Sequence, residues 1–203
     1  MNSEVIQEVV TYQGVQFRAT KSLPTSHALT NALEANYEDF LKKKSIIPAE
    51  VEVWIPNIPY IRMDWVVEGL FCMHETIFKS GCTVPFSPLA CDVMKSLKLV
   101  PFQLLPAVWR MIRSIDSVCT KHNLEIKLED LQNHSEIRHH GVGRFHFRVR
   151  SGKANLIDGL DTGEDKGWSS RYLFVKRSSV PGAEFLDYPL IKQSNLSSFY
   201  FSC

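Results

Sequence analysis

Three groupings of residues in this 203-residue chain are of the types that do chemistry. Asp161-Thr162-Gly163 can present a carboxylate on a tight loop, and two such loops face to face would let two acids share one proton. Its flanks oppose that use. Gly159-Leu160 precedes it and Glu164-Asp165-Lys166 follows, where an apolar strand and a small residue would be needed. Asp-Thr-Gly is also ordinary turn chemistry, and a turn is the expectation. His134, His139, His140 and His146 form the second grouping. Metal ligands must converge on one face, but His134 and His139 are five apart and His139-His140 are adjacent, so no metal or other cofactor is expected. The third is a basic run. Arg138, Arg144, Arg148, Arg150 and Lys153 follow one another without an intervening acid, with His146 among them. Arg144, His146, Arg148 and Arg150 alternate with Phe145, Phe147 and Val149, which puts the charged set on one face of a strand. Such a row can hold a phosphate backbone in a salt-sensitive way. The commoner reading is a solvated strand face whose arginines discourage edge pairing, and it carries more weight here.

Other catalytic arrangements do not assemble. Asp64 and Glu68 are four apart, but two carboxylates without a third acid make no two-metal site; a helix cap followed by a solvated Glu is expected. No nucleophile elbow, phosphate-binding glycine loop or His-Glu-x-x-His pattern occurs. The chain is therefore not expected to be an enzyme.

The elements that must position these residues are readable from periodicity. Residues 9–17, around Gly14, form a β-like run that suggests a hairpin. Leu29, Leu33, Tyr37, Phe40 and Leu41 recur at helical spacing over 27–44. A helix is predicted over 65–79, capped by Asp64 and ended at Ser80-Gly81. A second starts at Pro88, with Leu89, Val93 and Leu97 on one side. A third covers about 102–122 with Pro106 in its first turn, where a missing N–H costs little. A short fourth covers 128–137. Two strands follow, over 144–150 and 171–176, the second apolar on both sides. The fold class expected is α+β: a mostly helical domain over 64–177 with a small antiparallel β element near its C-terminus. Residues 1–63 read as an extension with one helix, and 178–203 as an irregular tail.

Composition agrees with a folded core. The chain is 44% hydrophobic and 11% aromatic, which excludes wholesale disorder. Lys+Arg 23 against Asp+Glu 22 leaves a net charge of +1, too little for a polybasic nucleic-acid binder. No run of about 20 uncharged residues is present to span a bilayer, so no membrane is expected. Glu4 and Glu8 stand where a signal peptide needs basic residues, and the five cysteines are odd in number without paired spacing. An intracellular setting, cytoplasm or nucleus, is the expectation.

Several of these residues together resemble a known family. Residues 68–75 (Glu-Gly-Leu-Phe-Cys-Met-His-Glu), 78–86 (Phe-Lys-Ser-Gly-Cys-Thr-Val-Pro-Phe) and 99–110 (Leu-Val-Pro-Phe-Gln-Leu-Leu-Pro-Ala-Val-Trp-Arg) stand in the order found in the gypsy-type transposon domain of plant proteins, the gag-like products of retroelements. The strand segments 143–150 and 166–175 resemble that domain's two strands, with Gly143-Arg144 where an aromatic is usual and Ser169 where a Lys is usual. The resemblance covers about residues 65–177. It implies a structural or interaction role without catalysis, with itself or other retroelement proteins as partners. A nucleic-acid-binding module using Arg138, Arg144, His146, Arg148, Arg150 and Lys153 is the first alternative. A degenerate retroviral-type aspartic protease around Asp161 is the second. The marked residues of the resemblance have packing explanations: Gly81 for a chain reversal, Pro85 with Pro88 for the next helix start, Pro101 for that helix's close, Trp109 for core area, Trp168 for packing beside the strand pair, and Arg110 as a brace for a carboxylate or turn.

Overall fold

The computed structural model describes residues 9–12, 15–18, 36–56, 66–140, 143–160 and 166–186. Their architecture is α+β, with five helices and small antiparallel sheets. Strands β1 (Val9–Tyr12) and β2 (Val15–Arg18) pair antiparallel, and β4 (Val66–Val67) adds to β2; Gly14 lies outside the described residues. Helix α1 (Tyr37–Lys43) occupies the C-terminal part of the helix predicted over 27–44; residues 27–35 lie outside the described residues.

The central sheet has the order β3–β8–β5, formed by β3 (Val53–Trp54), β8 (Tyr172–Lys176) and β5 (Leu70–His74), all antiparallel. Strand β5 corrects the helix predicted over 65–79. Gly69 turns the chain at φ +74°, a conformation no helix interior uses. Phe71, Cys72 and Met73 are then buried in succession, so both faces of the segment are covered and a strand suits it. Only α2 (Glu75–Lys79) remains helical, and Glu68 lies in the turn before β5 rather than on a helix; Asp64 is outside the described residues.

Helix α3 (Pro88–Leu97) starts as expected, with Pro88 at its first position and the Ser87 hydroxyl accepting from Ala90 N at 3.2 Å. It ends at Lys98, in the left-handed region at φ 51°. Pro101 opens a 3-10 turn, Pro101–Gln103. Helix α4 (Pro106–His122) then begins on Pro106 and ends at Asn123, also left-handed. Helix α5 (Leu128–His134) is shorter than predicted, because Ser135 turns extended and the chain runs into β6 (Ser135–His139). That strand pairs with β7 (Phe145–Val149), placing Ile137 opposite Phe147 and His139 opposite Phe145. The two strands expected from the sequence, β7 and β8, thus lie in separate sheets. Strand β8 pairs with β5, and β7 with β6, strands that fall wholly or partly in segments whose sequence read as helix.

One face of the central sheet, through Phe71, Met73, Leu173 and Val175, packs with Ile77, Val93, Trp109 and Ile112 from α2, α3 and α4. The same cluster takes in Leu41, Ile47 and Val51 before residue 64, and Val180, Ala183 and Leu186 after residue 177. On the opposite face Cys72, His74, Tyr172 and Phe174 are buried as well, with Trp168 edge-on to the His74 ring at 4.8 Å. No described helix is long and apolar enough to cross a membrane.

Candidate functional site

The junction between β5 and α2 concentrates the buried polar chemistry. Register places His74 opposite Tyr172, and Glu75 N donates to Arg171 O at 2.8 Å. Strand pairing thereby sets the side chains of Glu75 and Arg171 beside each other, though they are 96 positions apart in the chain. Arg171 grips the carboxylate through two donors, Nε to Oε2 and Nη2 to Oε1 at 3.0 Å. Lys79, one helical turn on, adds Nζ to Oε2 at 2.8 Å. The Glu75 residue is only 3% exposed. Burial favours its neutral acid, but the hydrogen bonds and charges of Arg171 and Lys79 outweigh it and hold the carboxyl below its ordinary range. The Tyr37 phenol donates to the same carboxylate. Its own burial, then the Glu75 charge and hydrogen bond, push its pKa well up, so it stays a phenol.

His74, next in the chain, is fully buried. Its Nε2–H donates to Leu104 O at 3.1 Å and its Nδ1 accepts from the Thr76 hydroxyl, which defines the tautomer. Burial pushes its pKa down to about 3, against the Leu104 bond and with help from Arg144. The imidazole is neutral, with both nitrogens occupied.

A cleft of about 600 Å³ opens beside Glu75, between α1, α2 and Arg171. Its lining includes the charged Lys43, Lys44, Lys79, Arg171 and Asp39 and the apolar Phe40, Ile46 and Phe78. Sequence reasoning did not select Tyr37, His74, Glu75, Lys79 or Arg171. The available signal was His-Glu-Thr at 74–76 set between Phe71-Cys72-Met73 and Ile77-Phe78, with Lys79 at i+4 from the Glu.

The residues that were selected divide into two groups. The basic set lies on the β6–β7 hairpin and beside it, but it is not an uninterrupted row. Glu136 stands directly opposite Arg148 in the register and ion-pairs with Arg138 at 2.6 Å. Arg144 lies over the Trp168 ring at 4.6 Å, and Arg150 Nε donates to Gln132 O at 3.0 Å. Arg148 and Lys153 are exposed. His146 meets His140 edge to face at 5.6 Å; burial, then His140, Arg138 and Arg148, lowers its pKa, and its Nδ1 is buried without a hydrogen-bond partner. Among the described residues no three His, Cys, Asp or Glu side chains are grouped to hold a metal. Asp161 lies outside the described residues.

The structural set is gathered into one scaffold. Trp109 is fully buried, 5.6 Å from Phe86, and its Nε1 donates to Pro101 O at 3.3 Å. Gln103 is buried too: Oε1 accepts from Val100 N at 3.2 Å, and Nε2 donates to Gly143 O at 3.0 Å, tying the 3-10 turn to the hairpin. Gly81 sits after α2 at φ +81°, where a Cβ would stand 3.2 Å from Arg113 Nε. Pro85 follows a cis peptide bond, and Arg110 is half-buried on α4. Burial raises the Cys82 thiol to about 12, Asp116 adding to it against Arg113, which removes it as a thiolate nucleophile near neutral pH. Comparison with known protein families, curated proteins and solved structures finds no match to this chain.

Proposed function

We propose that this chain is a retroelement-derived structural and interaction protein of the gag-like, gypsy-type transposon class that its sequence resembles, with no catalytic activity of its own. The observation that carries the reading is where the residues of the resemblance spend their functional groups. Trp109 bonds Pro101, Gln103 joins Val100 to Gly143, and Glu75 is enclosed by Arg171 and Lys79. A reaction site needs polar groups that converge on a substrate with unspent capacity. Here the Trp109 N–H, the Gln103 amide and the Glu75 carboxylate are each taken up by contacts within the fold.

A gag-like role requires self-association or assembly with related chains. Light scattering on the purified chain across a wide concentration range tests it. Concentration-dependent growth in mass supports the proposal, and a strictly monomeric chain at every concentration opposes it.

A further inference from the structure

The cleft between α1 and α2 has a chemical character that the scaffold role does not use. Its volume, about 600 Å³, falls within the ~300–1,000 Å³ typical of small-molecule sites. Four cationic side chains and two carboxylates line it. Of the two acids, Glu75 is buried and already neutralised by Arg171 and Lys79 with Tyr37 also bonded to it, so it adds little negative potential to the open space. Lys43, Lys44, Lys79 and Arg171 against Asp39 and Glu75 leave the lining with a net excess of two positive charges. Glu75 also fixes where two of those cations sit, so Lys79 and Arg171 need little further ordering to receive an anion.

The lining also carries an exposed aromatic ring, one helical turn before Lys43 and Lys44 on α1. Phe40 is 47% exposed, one of the few large apolar side chains among the described residues left open to water. It stacks on Tyr37 with ring centres 5.5 Å apart and planes 22° from parallel, so the ring is held on the same helix that carries Lys43. An exposed ring in a lining with an excess of positive charge suits a flat ring system bearing an anionic group.

We propose that this cleft is a binding site for a small aromatic anion, its ring against Phe40 and its anionic group toward Lys43, Lys44, Lys79 and Arg171. The site is independent of the gag-like reading and stands or falls separately.

Titration calorimetry on the whole chain tests it, with naphthalene-1-sulfonate as the probe and neutral 1-naphthylmethanol and inorganic sulfate as half-probes. One-to-one binding of the sulfonate is expected, with each half-probe at least ~10-fold weaker, because ring and charge contribute together. Phe40→Ala and the double change Lys43→Ala/Lys44→Ala should each weaken the sulfonate by ~10-fold, and added salt should weaken it further. All three residues are exposed, and unchanged circular dichroism and melting temperature would show that the variants fold. Sulfonate binding that is equal in both variants places it elsewhere and overturns the proposal, as does no binding at millimolar probe.

Discussion

Trp109 shows how a side chain that could mark a binding surface is spent internally. Its ring is fully buried and its indole N–H is satisfied by Pro101 O. Trp109→Ala should therefore lower unfolding free energy by about 3–5 kcal/mol in urea titrations, through lost area and the cavity left behind. Trp109→Phe should cost much less, since most of the ring volume remains and one hydrogen bond is lost. Glu75 gives a second test at this scale. Glu75→Gln keeps the shape but removes the charge that Arg171 and Lys79 hold, and a loss of about 2 kcal/mol is expected. A variant as stable as the parent would mean that the ion cluster contributes nothing net, as happens for some buried pairs.

At the level of elements, the helix ends carry local signals that can be tested separately. The Ser87 hydroxyl caps α3, so Ser87→Ala should cost about 1 kcal/mol, measured by thermal or urea unfolding. Gly81→Ala meets two obstacles. Its φ of +81° is unfavourable for any residue with a Cβ, by about 1–2 kcal/mol, and the added methyl would press on Arg113. The Arg113 contact can be relieved by a side-chain shift, so Gly81→Ala combined with Arg113→Ala should recover only part of the loss. The hairpin of β6 and β7 is the element relevant to nucleic acid. With Glu136 opposite Arg148 and Arg150 tied to the Gln132 carbonyl, its charged face is broken up. RNA binding at low salt, abolished when Arg144, Arg148 and Arg150 become Ala, would support the nucleic-acid alternative; no shift at low salt would remove it.

For the molecule as a whole, acid is the condition that bears on its stability. His74 has an ordinary pKa of 6.5 and a folded value of about 3, so the unfolded chain binds the extra proton as pH drops below 6.5. Stability from this group is complete above about 6.5 and falls as pH declines toward 3, by at most ~1.4 kcal/mol per pH unit. Glu75, held below its ordinary 4.5, acts in the same direction: its contribution is present above 4.5 and is lost as pH falls through the folded value. Urea midpoints should therefore drop steadily from pH 7 to pH 4.5. A His74→Gln variant should start less stable but show a flatter decline between pH 6.5 and 4.5. An equal slope in that variant would mean that His74 does not govern the response.

What the sequence determined by itself was whatever depends on neighbours along the chain. Pro88 and Pro106 start their helices, Gly81 ends another, and alternation in residues 145–149 makes a strand, because each is settled within a turn or two of backbone. The tertiary structure decided the rest. Residues 70–74 and 135–139 became strands because β8 and β7 offered them partners, a choice made by hydrogen bonds to distant chain that no local periodicity carries. The cleft beside Glu75 was hidden for the same reason: Tyr37, Lys79 and Arg171 come from three separate segments, and only the pairing of β5 with β8 brings Arg171 to that carboxylate.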